Sequence, residues 1–264
     1  MLTGAPVSIA PLRRIKRNHS LSMKSPRKPD AIMFDVYDTL FLNDTNAWKR
    51  AFQQIAEEQS LDITGADLWT RWKKFEVGFR KWRTNMDDPE SSPPFKSYET
   101  AWRECFEKVF EQGKIPGNAV NAARQSVTHM SRRDPFPETV HALSELSGRV
   151  PLGVFSNADN AFLRPMLDEY GLTSKFEIIE SSESAAVYKP HPGAFKHMFA
   201  AMDVAPSKSW YVGDHLYDDI RGGSEVGAST IWINRTDARR GPDDAKPTKE
   251  ITSLMDLVEL FDRA

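Results

Sequence analysis

The fold is decided first by a stretch near the start of the chain, Ala31-Ile32-Met33-Phe34-Asp35-Val36-Tyr37-Asp38-Thr39-Leu40. Its first four residues are apolar, a short run that is typical of a buried strand in a parallel sheet. The run ends at Asp35, so the strand delivers a carboxylate at its carboxyl end. Open α/β sheets place their chemistry at that edge. Asp35 is therefore the first candidate functional residue.

The same pattern of short apolar runs returns four times later in the chain. The runs are Val150 to Phe155, Phe176 to Ile179, Trp210 to Val212 and Thr230 to Ile233. Helical patterns lie between them, at Asn160 to Tyr170, Gly193 to Met202 and Asp218 to Val226. Strands that alternate with helices predict an α/β fold with a doubly wound parallel sheet.

A long helix-rich stretch, roughly Thr45 to Arg133, separates the first strand from the second and is too long for a simple crossover. One amphipathic helical face in it is formed by Leu68, Trp72, Phe75, Phe79 and Trp82. We therefore predict a core domain in residues 29–45 and 133–264, with an all-helical cap, residues 46–132, inserted into it. Residues 1–28 are predicted to form a basic, disordered tail.

Composition limits the classes of partner. The formal net charge of the 264-residue chain is -2 and no basic domain stands out, which argues against nucleic acid. Apolar runs are too short to cross a membrane. Cys105 is the single cysteine, so a disulfide within the chain is excluded and a reducing compartment is favoured. We expect a cytoplasmic protein that acts on a small molecule, with a homodimer among the open oligomeric states.

The basic tail allows two further interpretations. Residues 1–28 contain seven lysines and arginines and no acidic residue. An organelle-targeting peptide is the minor alternative, because the helical amphipathicity of this segment is poor. Translation from Met23 is the other alternative.

Polar residues follow the later strands as Asp35 follows the first. They are Ser156-Asn157, Lys189-Pro190, and Gly213-Asp214 with Asp218 and Asp219. In this order the segments resemble the four motifs of the haloacid dehalogenase superfamily, whose members carry a cap after the first strand. The resemblance covers Ala31 to about Arg263.

The resemblance implies a hydrolase that forms a covalent intermediate on Asp35. Ser156 would hydrogen-bond the substrate oxyanion, and Lys189 would neutralise charge on the nucleophile and on the transferred group. The catalytic residues implied in this way are Asp35, Tyr37, Thr39, Ser156, Asn157 and Lys189. Chemistry supports Asp35 and Lys189 independently, since the formation and the breakdown of an aspartyl ester or acyl phosphate both need nearby positive charge.

The resemblance also implies a metal site. Its ligands would be Asp35, the backbone carbonyl of Tyr37, Asp214, and Asp219 or Asp218. Clustered carboxylates raise one another's pKa values unless a cation lies between them, and Mg²⁺ is the expected ion. Capping of a helix N-terminus is the alternative role for Asp218 or Asp219.

The motif residues do not all indicate the same type of reaction. Phosphatases of the superfamily carry a second aspartate where this chain has Tyr37, and tyrosine there resembles the 2-haloacid dehalogenase branch. Asp214 argues the other way, because those dehalogenases have a Ser-Ser-Asn segment there and need no metal; they also have a tyrosine at the position of Phe195. We favour a Mg²⁺-dependent phosphatase-like hydrolase, with a metal-independent 2-haloacid dehalogenase as the first alternative. A catalytically weak binding protein is the second.

Two further side chains are candidate substrate contacts. Arg71 flanks the predicted apolar face of the cap, so it could hold a substrate anion at the active-site mouth, as a cap arginine does in the dehalogenases. A surface arginine is the alternative. His215, beside Asp214, either contacts substrate or fills a loop position.

Overall fold

A parallel sheet forms the centre of the molecule. The computed structural model describes residues 26–264, and within them the sheet has six strands. The strands are β1 (Ala31–Phe34), β2 (Leu152–Ser156), β3 (Ile178–Ser181), β4 (Ser209–Gly213), β5 (Ser229–Ile233) and β6 (Lys249–Ile251). Their order is β3-β2-β1-β4-β5-β6, with every neighbouring pair parallel. The predicted α/β fold is confirmed, and β6 is an addition that the sequence patterns did not indicate.

Strand register brings the functional ends together. Phe34, the last residue of β1, pairs with Val154 of β2 and with Val212 of β4. Asp35 therefore emerges between the ends of the two neighbouring strands, and its backbone N–H still donates to Val212 O at 2.9 Å. The polar residues that follow β1, β2 and β4 consequently lie at one edge of the sheet.

The helical stretch after β1 folds as an insert, residues 45–130, that packs on the core. Its helices are α1 (Thr45–Glu58), α2 (Gly65–Trp82), α3 (Tyr98–Gly113) and α4 (Ala119–Met130). A polar side chain accepts a backbone N–H at the start of each helix, which satisfies a donor that the helix itself leaves free. These capping residues are Asp44, Thr64, Ser97 and Asn118.

The buried face of α2 differs from the predicted one. Leu68 and Trp72 are buried as expected, but Trp82 is 70% exposed. The interior positions are instead taken by Glu76 and by Arg83, just after the helix, both almost completely buried. The prediction selected apolar residues, whereas the face that meets the core is partly charged.

Helices cover both faces of the sheet. After the insert come α5 (Thr139–Leu146), α6 (Asn160–Glu169), α7 (Ser182–Ala185), α8 (Pro192–Ala201), α9 (Gly222–Glu225) and α10 (Leu254–Asp262). One hydrophobic cluster continues from the sheet into the insert, and a second lies under α8. Burial of these apolar surfaces is the main force that holds the layers together.

Two contacts join α3 of the insert to the core. The indole of Trp102 in α3 stacks on Phe162 in α6, with ring centroids 5.5 Å apart. The carboxylate of Asp159, which follows β2, accepts the backbone N–H groups of Tyr98 and Glu99 at 2.8 Å each. A core side chain thus satisfies the free donors at the start of an insert helix.

The predictions for residues 1–28 lie outside the described residues, except at 26–28. There, the backbone carbonyl of Arg27 accepts the indole N–H of Trp210 at 3.0 Å. Within residues 26–264, no helix combines the length and the apolar character needed to cross a membrane.

Candidate active site

The carboxylate of Asp35 lies at the bottom of a cavity of about 260 Å³ between the sheet edge and the insert, here called the main cavity. Its Oδ1 atom accepts a hydrogen bond from Ser156 Oγ at 3.3 Å and one from Lys189 Nζ at 2.7 Å. Within residues 26–264, Oδ2 accepts no hydrogen bond from the protein. One carboxylate oxygen is therefore held in place and the other is available for chemistry.

Lys189 is the charged centre of the site and is 1% exposed. Its ammonium donates to Asp35 Oδ1 and Asp219 Oδ1, both at 2.7 Å, and to Tyr211 Oη at 2.8 Å. Burial acts to lower the pKa of this lysine, but the two carboxylates outweigh burial and hold the pKa well above its usual value. Lys189 therefore stays positively charged, as its predicted role requires.

Asn157 positions that lysine through its backbone. The side-chain Oδ1 of Asn157 accepts the N–H of Lys189 at 2.8 Å, and its Nδ2 donates to Lys189 O at 3.1 Å. A residue next to Ser156 thereby fixes the loop that carries the ammonium.

Three of the predicted metal-side acids come together. Asp35, Asp214 and Asp219 each offer a ligand atom, and these atoms lie within 4.8 Å of one another. Burial, followed by the charges of Asp219 and Asp35, raises the pKa of Asp214 well above its usual value. Burial also raises the pKa of Asp219, to about 6, despite the opposing charge of Lys189. Without a further cation, the cluster is electrostatically unfavourable in its ionised form.

The backbone of the fourth motif allows this close approach. A Cβ atom at Gly213 would lie 2.4 Å from the carboxylate of Asp219, so only glycine fits between β4 and that side chain. Thr39 Oγ1 lies 3.5 Å from Asp214 Oδ1, and the indole N–H of Trp232 donates to Asp214 O at 2.8 Å. These contacts position the loop after β4, and they place the Thr39 hydroxyl at the cluster.

Asp218 points away from the acid cluster. Its Oδ2 atom accepts from Arg83 Nη2 at 2.8 Å, a contact between the core and the insert. Burial acts to raise the pKa of Asp218, but the guanidinium of Arg83 holds the pKa below its usual value. The structure therefore brings Asp219, and not Asp218, into the cluster.

Neither acid is itself the N-cap residue, but Asp219 takes part in the hydrogen bonds at the start of the turn. The N-cap of the helical turn Leu216–Arg221 is His215, whose Nδ1 accepts the N–H of Asp218 at 3.0 Å. The backbone N–H of His215 in turn donates to Asp219 Oδ2 at 2.9 Å. The imidazole also lines the main cavity, so His215 combines a structural contact with access to a ligand.

Tyr37 lines the main cavity, but its hydroxyl is directed toward the insert. The hydroxyl lies 3.5 Å from Met130 O, and the ring lies against Phe162 with centroids 6.1 Å apart. Burial raises the pKa of Tyr37 well above its usual value, so the phenol keeps its proton. The ligand role of its backbone carbonyl stays a prediction.

Arg71 does not line the main cavity. It is exposed and lies beside Lys74 and Gly113 in a separate surface depression. Arg80 and Arg83 occupy the cavity wall instead. The expectation for Arg71 failed because residues nine apart on a helix lie on opposite faces, and Arg80 is on the face that meets the core.

Sequence reasoning missed further cavity residues. Arg83 and Glu76 follow Trp72 and Phe79 at helical spacing, so extending that face through polar positions could have found them. Tyr211 had no such signal, because it lies inside a strand that is buried along its whole length. Tyr211 contacts the site from within the sheet, through its hydrogen bond with Lys189.

Comparisons with known proteins identify the family. The family model of haloacid dehalogenase-like hydrolases matches residues 29–227. The chain is 30% identical over 245 residues to pyrimidine 5'-nucleotidase YjjG of Escherichia coli, covering 89% of this chain and 98% of that protein. It is 26% identical over 210 residues to haloacetate dehalogenase H-2 of Moraxella sp. (strain B), covering 79% and 87%.

Structural similarity extends over nearly the whole fold. The crystal structure of the L-2-haloacid dehalogenase RSc1362 superposes with a TM-score of 0.70 at 22% identity, covering 88% of this chain and 98% of that one. Because the family model matches well over half of the sequence, and because the motif residues meet in one cavity, the chain belongs to the haloacid dehalogenase-like hydrolases and is an enzyme.

Proposed function

We propose that this hydrolase is a Mg²⁺-dependent phosphatase that acts on a small phosphorylated molecule. The observation that carries the proposal is the acid cluster, in which three carboxylates lie within 4.8 Å of one another beside a single ammonium group. Unpaired buried charges are unfavourable, so such a cluster is best explained by a cation that completes it.

The charges of the main cavity support a divalent ion. Among residues 26–264, the lining of this cavity includes six aspartates and glutamates but only three arginines and lysines. A phosphate dianion would be repelled by that surplus of carboxylates. Oxygen ligands from Asp35, Asp214 and Asp219 suit Mg²⁺, which is commonly held by one or two carboxylates together with substrate oxygens. When bound, the ion would neutralise the phosphoryl oxygens and the cluster.

The protein groups supply the remaining parts of the reaction. In the first step, the free oxygen of Asp35 attacks phosphorus, the bond to the leaving oxygen breaks, and an aspartyl phosphate forms. Ser156 donates to a phosphoryl oxygen, and Lys189 balances the developing negative charge. In the second step, water attacks phosphorus, inorganic phosphate leaves and the carboxylate of Asp35 returns.

The leaving group has no obvious proton donor at position 37. The Tyr37 phenol faces the insert and keeps its proton, so it does not replace an aspartate general acid. We therefore expect the enzyme to prefer substrates whose leaving oxygen is stable as an anion, such as aryl or acyl phosphates.

We further propose that the insert acts as a cap. It encloses the main cavity from the side opposite the sheet and contributes Trp48, Arg80 and Tyr98 to the wall. Water exclusion by such a cap would strengthen the electrostatic contacts within. The cytoplasmic location and a homodimeric state are predictions that accompany this proposal.

Hydrolytic dehalogenation is the second candidate. Tyr37 favours it, because a halide leaves without a proton. Two observations weigh against it. Asp214 adds a carboxylate beside the nucleophile. Phe195, at the position where the dehalogenases have a tyrosine, has no hydroxyl and is fully buried against Tyr211 outside the main cavity. Bound Mg²⁺ would also lower the reactivity of Asp35 toward carbon.

The deciding experiment compares the two reactions on one preparation. We expect p-nitrophenyl phosphate to be hydrolysed with Mg²⁺ and not after EDTA treatment, while 2-chloropropionate releases no halide. The substitution Asp35→Asn should abolish turnover with little change in melting temperature. Asp203→Asn, at an exposed position outside the main cavity, is the matched control and should keep turnover. Halide release that resists EDTA, without phosphatase activity, would reverse the assignment.

A further inference from the structure

A second concavity, here called the side groove, lies next to the mouth of the main cavity. It has a volume of about 480 Å³ and lies between α2 of the insert and the core loop that carries His215 and Tyr217. Arg80, Arg83, His215 and Asp218 line both spaces. The two concavities are therefore adjacent, and Arg80 faces both of them.

The side groove is positively charged. Of residues 26–264, its lining includes four lysines and arginines and one carboxylate, Asp218. Two of these cations are already paired: Lys73 with Glu76 at 2.6 Å, and Arg83 with Asp218 at 2.8 Å. The charge available to a ligand therefore comes from the other two, Arg80 and Lys81.

Arg80 is not fully engaged by the protein. Its nearest carboxylates, those of Glu76 and Asp218, are both 3.9 Å away, beyond hydrogen-bond distance. Within the described part of the chain its guanidinium donates no hydrogen bond. The Arg80 side chain is 40% exposed and lines both concavities, so it is accessible to a ligand. Lys81 forms no ion pair among residues 26–264, and its ammonium lies 5.3 Å from the ring centroid of Trp82.

We propose that Arg80, assisted by Lys81, binds a second anionic group on the leaving-group side of the substrate. The preferred substrate would then be a small phosphate monoester that also carries a carboxylate or a second phosphate. This inference rests on the proposed phosphatase function, which places the phosphoryl group at Asp35. A planar guanidinium with free donors can bind either anion through two parallel hydrogen bonds.

The charge pattern explains why the groove would select the second anion. The acid cluster repels negative charge near Asp35 unless a cation is bound. The adjacent side groove, in contrast, attracts negative charge. A substrate with anions at both ends can satisfy both regions. A substrate with a neutral leaving group leaves Arg80 without a partner. The difference in binding between these two kinds of substrate would produce the specificity.

The test uses pairs of substrates that differ only in the second anion. For a carboxylate, 4-carboxyphenyl phosphate is compared with 4-carbamoylphenyl phosphate; for a phosphate, 1,4-phenylene bisphosphate is compared with 4-hydroxyphenyl phosphate. We expect kcat/KM with Mg²⁺ to favour the doubly anionic member of at least one pair by about tenfold or more. The pair that shows the preference identifies the anion.

The variant Arg80→Gln should reduce that ratio roughly tenfold, mainly through KM. Lys74→Gln removes one positive charge from the same helix outside the side groove, and it should keep the wild-type ratio. Equal or undetectable hydrolysis of both members of both pairs, or an unchanged ratio in Arg80→Gln, overturns the inference. Hydrolysis of p-nitrophenyl phosphate separates the two proposals: if it occurs without a preference, only this inference fails, and if no phosphate ester is hydrolysed, both fail.

Discussion

The metal-free enzyme should become less stable as pH rises, because of Asp219. Burial and the neighbouring charge of Asp35 raise the pKa of this carboxyl from 3.8 to about 6, even though Lys189 opposes the shift. The folded state therefore holds the proton more tightly than the unfolded chain does. Stability from this group is fully present below the unfolded pKa and is lost as pH rises through the folded pKa.

The size of the effect follows from the two pKa values. With a folded pKa of about 6 and an unfolded value of 3.8, raising the pH from about 5 to about 7 removes roughly 1.3 kcal/mol of unfolding free energy. For a chain of this length that corresponds to a fall of about 3 to 5 °C in melting temperature. Mg²⁺ binding should reverse the loss at neutral pH, because an ion that binds only the folded state stabilises it by mass action.

The assay is thermal unfolding of EDTA-treated protein across this pH range, with Asp219→Asn as the reference. The asparagine cannot titrate, so the difference in melting temperature between the two proteins reports the titration of Asp219 together with the part of the Asp214 pKa shift that the charge of Asp219 causes. We expect the wild type to lose stability relative to the variant as pH rises. If the two proteins show parallel pH profiles, the carboxyl of Asp219 has an ordinary pKa and the account of the acid cluster is wrong.

Two further substitutions test the roles of Tyr37 and Arg83. Tyr37→Asp should raise turnover of alkyl phosphates relative to aryl phosphates by at least about tenfold, because it supplies a proton donor to the leaving group; an unchanged ratio in steady-state assays would show that leaving-group protonation does not limit the enzyme. Arg83→Gln should lower the unfolding free energy by about 3 to 5 kcal/mol in denaturant titrations, because it leaves the Asp218 carboxylate buried without its partner. Adding Asp218→Asn should restore part of this loss, and an additive double variant would show that the pair is not coupled.

The fold and the nucleophile could be predicted because their signals are local. Each of the first strands is a short apolar run, and a polar residue follows directly where the strand ends, as at Asp35 and Ser156. Strand β6 gave no such signal, since it is three residues long and two of these are Lys249 and Glu250. Its place in the sheet depends on pairing with β5, which a local pattern does not contain.

The side chains that face the active site from the insert were harder to predict. Which face of α2 meets the core depends on how the whole insert packs, and Arg71 was chosen without that information. For the same reason, the sequence did not show which of the adjacent residues Asp218 and Asp219 joins the acid cluster. Neighbouring residues of a helical turn point in different directions, so Asp219 joins the acid cluster and Asp218 meets Arg83.

The carboxylate of Asp159 limits how this enzyme can be redesigned. It belongs to the core, yet it satisfies two backbone amides at the start of α3 in the insert. A chimera that exchanged the insert only at its two chain connections would leave this carboxylate facing whatever the new segment offered. Grafts should therefore keep residue 159 together with a helix that begins where α3 begins, or replace both as a unit.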